Sequence, residues 1–345
     1  MSVAVGQIDH PSAWLGEEIA DDPSWIYRFT PGDLAEIEAA LQAVEGRGLA
    51  TLAIAKADFP LPTLGRRLAQ LLADVRDGRG FVVLRGLPVA DYGPERAARA
   101  YWGLGTHFGG AVRQNPAGDL LGEVRDKGKQ WGALNVRGPD TNGGLNFHTD
   151  YADIVGLLCL GRAKTGGLSR IASSVTLHNE LLRQHRQHLP LLYRGFRYIK
   201  REATESAEPV TGYLPVFGER DGVLSCRFIR ERIEAAAKRM DQPLSEAERA
   251  ALDCIAAVVG DPRVHLDMDL ALGDIQLINN YTVLHARTAF EDGDGPNERR
   301  HLLRLWLTFD GPRRPMAESF PPANGYAVPG APPPEGAVAL GLTAG

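Results

Sequence analysis

From Gly105 to Phe309 the chain repeats one pattern, in which short apolar segments are cut apart by Gly, Asn, Pro and Asp. Leu120 to Val124, Leu145 to Asp150, Ile154 to Leu160, Leu168 to Ser173, Gly195 to Ile199 and Val223 to Phe228 are such segments. After Pro262 come Val264 to Leu270, Asp274 to Asn279, Val283 to Arg287 and His301 to Phe309. Runs of this length with turn formers between them read as strands of a β-rich sandwich or barrel. Helical spacing dominates the part before them. Thr30-Pro31-Gly32-Asp33 opens a run with Leu34, Ile37, Leu41 and Val44 on one face. A second run extends from Leu64 to Val75 and stops at Gly78, and a third covers Pro94 to Leu104. Phe81 to Leu84, between Gly80 and Gly86, is a buried strand among these helices. Two helical stretches interrupt the strands: Ser174 to Leu189, and a pair between Arg230 and Val259 broken near Gln242-Pro243. Ser245-Glu246-Ala247-Glu248 is the start signal of the second member of that pair. The expectation is a mixed α and β chain forming one unit over residues 1–311. Its helical part covers about 1–104 and its helical insert about 230–260. Residues 312–345 form a Pro/Gly-rich tail, extended or disordered.

Charge and cysteine usage narrow the function classes. A net charge of −5 argues against nucleic acid or an anionic membrane as the main partner. No stretch reaches the length of a membrane span, and Met1 to Pro23 lacks the apolar run of a signal peptide. Cys159, Cys226 and Cys254 are scattered and form no CxxC pair, so neither a disulfide framework nor a structural zinc site is expected. They read as buried small hydrophobes in a reducing cytosol. Asn280-Tyr281-Thr282 matches a glycosylation sequon but carries no meaning without secretion. A small-molecule substrate is the partner this leaves, with homo-oligomerisation open.

The sharpest local feature is Asn146-Phe147-His148-Thr149-Asp150. In a strand, residues i and i+2 point to one side, so His148 and Asp150 project an imidazole and a carboxylate into one cavity. These are two of the three ligands of a facial triad for iron(II). With 9 His and 43 Asp+Glu in 345 residues, roughly one His-x-Asp/Glu arises by chance, so the motif alone is weak. Two others occur. His178-Asn179-Glu180 lies in a helix, where i and i+2 diverge, and reads as a solvated face. His265-Leu266-Asp267 lies in a strand and is a genuine rival, with His285 only 20 residues downstream. The C-terminal part separates them. His285 sits late in an apolar strand, and the turn-rich loop from Glu291 to Asn297 suggests a hairpin to the strand beginning at Arg299. On that second strand Arg300 and Arg304 share a face with Leu302 and Trp306, while Arg299 faces the other way. Guanidiniums among apolar neighbours need anionic partners. A dicarboxylic cosubstrate would supply one and a substrate acid group the other.

The order His148-x-Asp150, then His285, then Arg300 resembles the taurine dioxygenase-like family of iron(II)/2-oxoglutarate oxygenases, a group also similar to clavaminate synthase. Gly166-Gly167-Leu168-Ser169 resembles that family's Gly-Gly-x-Thr/Ser segment. The resemblance covers roughly Phe81 to Pro312. It implies a double-stranded β-helix, or jelly-roll, core. It further implies that His148, Asp150 and His285 hold Fe(II), and that Arg300, aided by the Ser169 hydroxyl, binds 2-oxoglutarate. Arg304 would reach the acidic group of the substrate, and the two arginines could exchange roles. With O2, such enzymes release succinate and CO2 and oxidise a small organic, anionic or amino-acid-like substrate. The carboxylate at Asp150 favours hydroxylation, desaturation or a related C–H oxidation over halogenation. Two other readings stay open: a cupin-type metalloenzyme that does not use 2-oxoglutarate, and a non-catalytic metal-binding jelly-roll protein.

Outside these motifs, Asn146 shares the inward face of His148 and either touches substrate or is a satisfied buried amide. Arg113-Gln114-Asn115 reads as a loop over the cavity, and Trp131 as a lid or core residue. His107, His185, His188 and His301 read as ordinary, and Trp102 and Trp306 as core.

Overall fold

Reciprocal capping starts the first long helix: Thr30 Oγ1 accepts from Asp33 N–H, and the Asp33 carboxylate accepts from Thr30 N–H and Oγ1–H. The computed structural model describes residues 6–115, 117–129, 138–200, 209–295, 298–309, 315–317, 320 and 325. In chain order the elements are α1 (Gly16–Ala20), β1 (Ile26–Arg28), α2 (Pro31–Gly46), α3 (Leu64–Asp77), β2 (Phe81–Arg85), α4 (Val89–Gly105), β3 (Gly109–Ala111) and β4 (Leu121–Val124). Then follow β5 (Leu145–His148), β6 (Ile154–Gly161), β7 (Thr165–Gly166), β8 (Ser169–Ser173), α5 (Ser174–Gln184), α6 (Leu189–Arg194), β9 (Phe217–Arg220) and β10 (Val223–Cys226). The chain continues with α7 (Arg230–Arg239), α8 (Glu246–Gly260), β11 (His265–Met268), β12 (Ile275–Asn279), β13 (Val283–Arg287), β14 (Phe290–Glu291) and β15 (His301–Phe309).

Two sheets form the core. The larger runs β1-β2-β12-β6-β15-β3, with β4 also paired to β15, and the smaller runs β11-β8-β13-β5. Period-two alternation sorts the side chains of β15. Leu303, Leu305 and Leu307 join Leu41, Leu68 and Tyr101 of α2, α3 and α4 in one apolar cluster, so the N-terminal helices cover the outer face of the larger sheet. Leu302 and Trp306 turn the other way and meet Ile171 and Val283 of the smaller sheet, filling the sandwich. The outer face of the smaller sheet, at Ala172 and Leu284, is closed by Leu177, Leu252 and Ile255 of α5 and α8. Burying each such leucine contributes about 1.5–3 kcal/mol, which is why the helical insert is held to the sheet despite its polar outer surface. This arrangement is the double-stranded β-helix expected from the resemblance.

Four sequence expectations need correction. Gly195 to Ile199 is not a strand; it holds only isolated bridges, Phe196 to Leu214 and Ile199 to Val210. The helix from Ser174 ends at Gln184, because His185 adopts φ −137, and a short 3₁₀ turn leads into α6. His178 is fully buried rather than solvated, since α5 is packed on both sides and His178 receives the Tyr193 ring edge-on. No hairpin joins β13 to β15: they lie in opposite sheets, and β14 between them pairs with β7 instead. Trp131 lies outside the described residues, as does most of the 312–345 tail, of which Phe320 packs against Tyr281.

Candidate metal centre

β5 runs antiparallel to β13 with His148 directly opposite His285. Facing pairs on one side of a ladder have their Cβ atoms within about 5.5 Å, and the two imidazole centroids are 4.3 Å apart. Nδ1 of His148 lies 2.7 Å from the Asn146 carbonyl. A carbonyl can only accept, so Nδ1 carries the proton and Nε2 offers its lone pair. Burial and the neighbouring His285 push the His148 imidazole down to about 4, which keeps it neutral at physiological pH.

Asp150 follows just beyond the end of β5. There the Asn280 side chain replaces the ladder. Asn280 Oδ1 accepts from Asp150 N–H at 2.9 Å, and its Nδ2 donates to Asp150 O at 2.6 Å and Ala152 O at 2.9 Å. The Asp150 side chain, 8% exposed, turns inward until Oδ2 lies 3.6 Å from His285 Nε2 and 3.7 Å from Arg304 Nη1. Trp306 Nε1 donates to the same oxygen at 3.1 Å from the opposite sheet. Burial works against a charge here, but the His285 contact and the Arg304 guanidinium hold the carboxyl well below the usual carboxylate range. His148, Asp150 and His285 thus each offer a ligand atom, all within 4.8 Å of one another. His285 Nδ1 is buried without a partner. Two imidazoles and an ionised carboxylate converging on one point are a donor set suited to a divalent first-row cation, iron(II) included.

The rival motif is excluded by geometry. His265 Nδ1 bonds the Val259 carbonyl, and the Asp267 carboxylate pairs with both Nε and Nη2 of Arg170, and among the described residues neither side chain joins a third ligand.

All the residues singled out above, Asn146, His148, Asp150, Ser169, His285, Arg300 and Arg304, line one cavity of about 600 Å³. The two arginines differ sharply in their surroundings. Arg304 donates from Nε to Gln114 Oε1 at 2.8 Å, stacks 4.8 Å from the Trp306 ring and approaches Asp150. Arg300 is 6% exposed, donates weakly to Gly167 O at 3.3 Å, and leaves Nη1 buried without a partner. Gly167 makes room for it: with φ +72, a Cβ there would stand 2.9 Å from Arg300 Cδ and Nε. Ser169 donates to Gln276 Oε1 at 3.0 Å, and Asn146 donates to Glu231 Oε1 at 2.9 Å on α7.

The sequence did not flag Asn280 as a brace for residue 150 or Trp306 as a donor to its carboxylate, although alternation already placed Trp306 on the face of Arg304. Gln114, in the segment expected as a loop over the cavity, is buried, and besides accepting from Arg304 Nε it donates to Arg304 O at 2.7 Å and Leu120 O at 2.8 Å.

A two-sheet jelly roll that gathers such a donor set beside a buried arginine with no ion-pair partner among the described residues is an arrangement suited to a mononuclear metalloenzyme that takes an acidic ligand. Comparison with known proteins narrows the class. Residues 45–306 match the family described as Taurine catabolism dioxygenase TauD, TfdA family. The chain is 34% identical over 309 residues to FR-33289 synthase of Streptomyces rubellomurinus (strain ATCC 31215), covering 88% of this chain and 91% of that relative. Its fold resembles that of an asparagine oxygenase in complex with Fe(II), 2S,3S-3-hydroxyasparagine and succinate, with a TM-score of 0.65, 19% identity, and coverage of 82% and 93% of the two chains. It also resembles the non-heme iron oxygenase OrfP in complex with Fe and alpha-ketoglutaric acid, with a TM-score of 0.59, 15% identity, and coverage of 83% and 94%.

The chain belongs to the TauD/TfdA family. It is an oxidoreductase that uses iron(II), 2-oxoglutarate and O2, and this sets aside the cupin-type and non-catalytic readings.

Proposed function

We propose that His148, Asp150 and His285 hold the iron, that Arg300 binds the distal carboxylate of 2-oxoglutarate, and that the cavity between Asn146 and Arg304 takes a small anionic or amino-acid-like substrate. The observation that carries this reading is the convergence of three ligand atoms within 4.8 Å beside a guanidinium that has no acidic partner among the described residues. When bound, iron with 2-oxoglutarate and O2 supplies an oxidant able to attack an unactivated C–H bond, releasing succinate and CO2.

The chain's own residues then have distinct tasks. Asn280 and Trp306 fix the orientation of the Asp150 carboxylate. The Asn146 carbonyl fixes the tautomer of His148. Gln114 and Trp306 hold Arg304 against the inner wall, which keeps its charge at the metal side of the cavity. Apolar Val155, Leu157 and Leu302 exclude water between these groups. Charges of both signs, Glu231, Lys200 and Arg232, line the same cavity and suit a substrate with both an amine and an acid group. The hydroxyasparagine bound to the structurally similar oxygenase is a ligand of that kind. Hydroxylation, desaturation or a related C–H oxidation is the reaction. A cytosolic location agrees with three free cysteines, and among the described residues no helix is long and apolar enough to cross a membrane.

The test is spectroscopic and catalytic. Anaerobic addition of iron(II) and 2-oxoglutarate to the purified protein should give the weak visible absorption of the chelate. Admitting O2 with a panel of amino acids and small organic acids should give succinate coupled to an oxidised product. Absence of both the band and coupled succinate rejects the reading.

A further inference from the structure

One buried cation in the cavity has no task in the account above. Arg287 is 5% exposed and stands two residues after His285 on β13, directly across the ladder from Ser169. Its Nη2 donates to the carbonyls of Thr141, at 2.8 Å, and Gly143. Its Nε and Nη1 are buried without a hydrogen-bond partner. Arg300 Nη1 is in the same condition. The two guanidiniums rest on one ring, with Cζ of Arg287 4.9 Å and Cζ of Arg300 5.4 Å from the Phe290 centroid. Neither forms an ion pair among the described residues, whereas Arg304, further along the same wall, lies 3.7 Å from Asp150.

Two buried guanidiniums that share one neighbouring ring, each with N–H groups that lack a hydrogen-bond partner among the described residues, are unfavourable unless an anion reaches them. Ser169, whose hydroxyl is expected to help bind the cosubstrate, donates to Gln276 Oε1 on the neighbouring sheet. Arg287 is its cross-strand neighbour and has donors left over.

We propose that Arg287 and Arg300 grip one carboxylate together, the distal carboxylate of the 2-oxo diacid, and that Arg287 ties this grip to the Thr141–Gly143 segment through its third nitrogen. The proposal rests on the reading of Arg300 given above. A planar guanidinium can serve both partners at once because its donors diverge from a single rigid fork.

The experiment is calorimetric titration of the full-length protein, loaded with manganese(II), with 2-oxoglutarate and with 2-oxopentanoate, in which a methyl replaces the distal carboxylate. Wild type, Arg287→Gln, Arg287→Lys and Arg300→Gln are compared through the ratio of the two affinities. Taking the ratio on one preparation cancels any loss of folded protein. Arg287→Gln should lower the preference for 2-oxoglutarate about tenfold while leaving 2-oxopentanoate binding near the wild-type value. Arg287→Lys, which keeps the charge but loses the fork, should fall between wild type and Arg287→Gln. A fall in preference of less than about threefold in Arg287→Gln overturns the proposal, as does an equal weakening of both ligands, which would make Arg287 only a clip for the Thr141–Gly143 segment. If wild type itself shows no preference for 2-oxoglutarate, or Arg300→Gln leaves it intact, the reading of Arg300 fails instead.

Discussion

The indole of Trp306 and the carboxylate of Asp150 meet across the sandwich, Nε1 donating to Oδ2 at 3.1 Å from the opposite sheet. Trp306→Phe keeps most of the buried volume and removes this one donor. Groups that orient a metal ligand typically change metal affinity by 10–100-fold when lost. We therefore expect iron(II) or manganese(II) binding to weaken about tenfold with little change in melting temperature. Unchanged metal affinity would mean that Arg304 and His285 suffice to hold the carboxylate.

Arg300 and Arg304 should separate cleanly by phenotype. Arg300 has no acidic partner among the described residues, so Arg300→Ala should raise the 2-oxoglutarate requirement sharply and spare metal binding. Arg304 sits within 3.7 Å of Asp150, so Arg304→Ala should disturb metal binding or substrate affinity and leave the cosubstrate requirement near wild type. Steady-state kinetics with each ligand varied in turn decides the matter, and the reverse pattern would exchange the two assignments.

Gly167→Ala should act through Arg300. The added Cβ would press on Arg300 Cδ and Nε at 2.9 Å, and the φ of +72 disfavours any side chain. Loss of cosubstrate affinity without loss of metal affinity is expected. Equal loss of both would point to general unfolding of the turn.

His178 should make stability depend on pH. Its imidazole is fully buried, with Nε2 3.0 Å from the Tyr193 hydroxyl and Nδ1 without a partner, and burial pushes it down to about 4. The unfolded chain has the ordinary value near 6.5 and binds the proton first as pH falls. The contribution is thus fully present above about pH 6.5 and is lost progressively towards pH 4, with an upper limit of about 3 kcal/mol. Denaturant unfolding of wild type and His178→Phe across this window should give a shallower slope for the variant. Identical slopes would show that His178 does not titrate between the two states.

Much of this site could be read before folding, for reasons of local geometry. Strand alternation is enough to put His148 and Asp150 on one side, and Arg300, Leu302, Arg304 and Trp306 on another. The caps at Thr30–Asp33 and Ser245–Glu248 stand where the sequence placed them, because capping depends only on neighbours in the chain. What escaped depends on distant contacts. His178 appears polar and solvated on its helix until the Tyr193 and Phe217 rings cover it. Asn280 looks like a meaningless sequon, yet its amide takes over the hydrogen bonds of a strand far away in the chain. The loop after β13 resembles a hairpin because turn residues report that a chain reverses but not which sheet it enters.

The pairing of His148 with His285 in one ladder has a consequence for how the centre can fail. The main-chain ladder fixes how far apart their Cβ atoms stand, so both imidazoles start from one side of the same sheet whichever rotamers they adopt. A shift of one residue between these two strands would send one imidazole to the far side of the sheet. Completion of the centre therefore waits on β5 finding β13 in the correct alignment, because His148 and Asp150 come from one segment and the third ligand from the other.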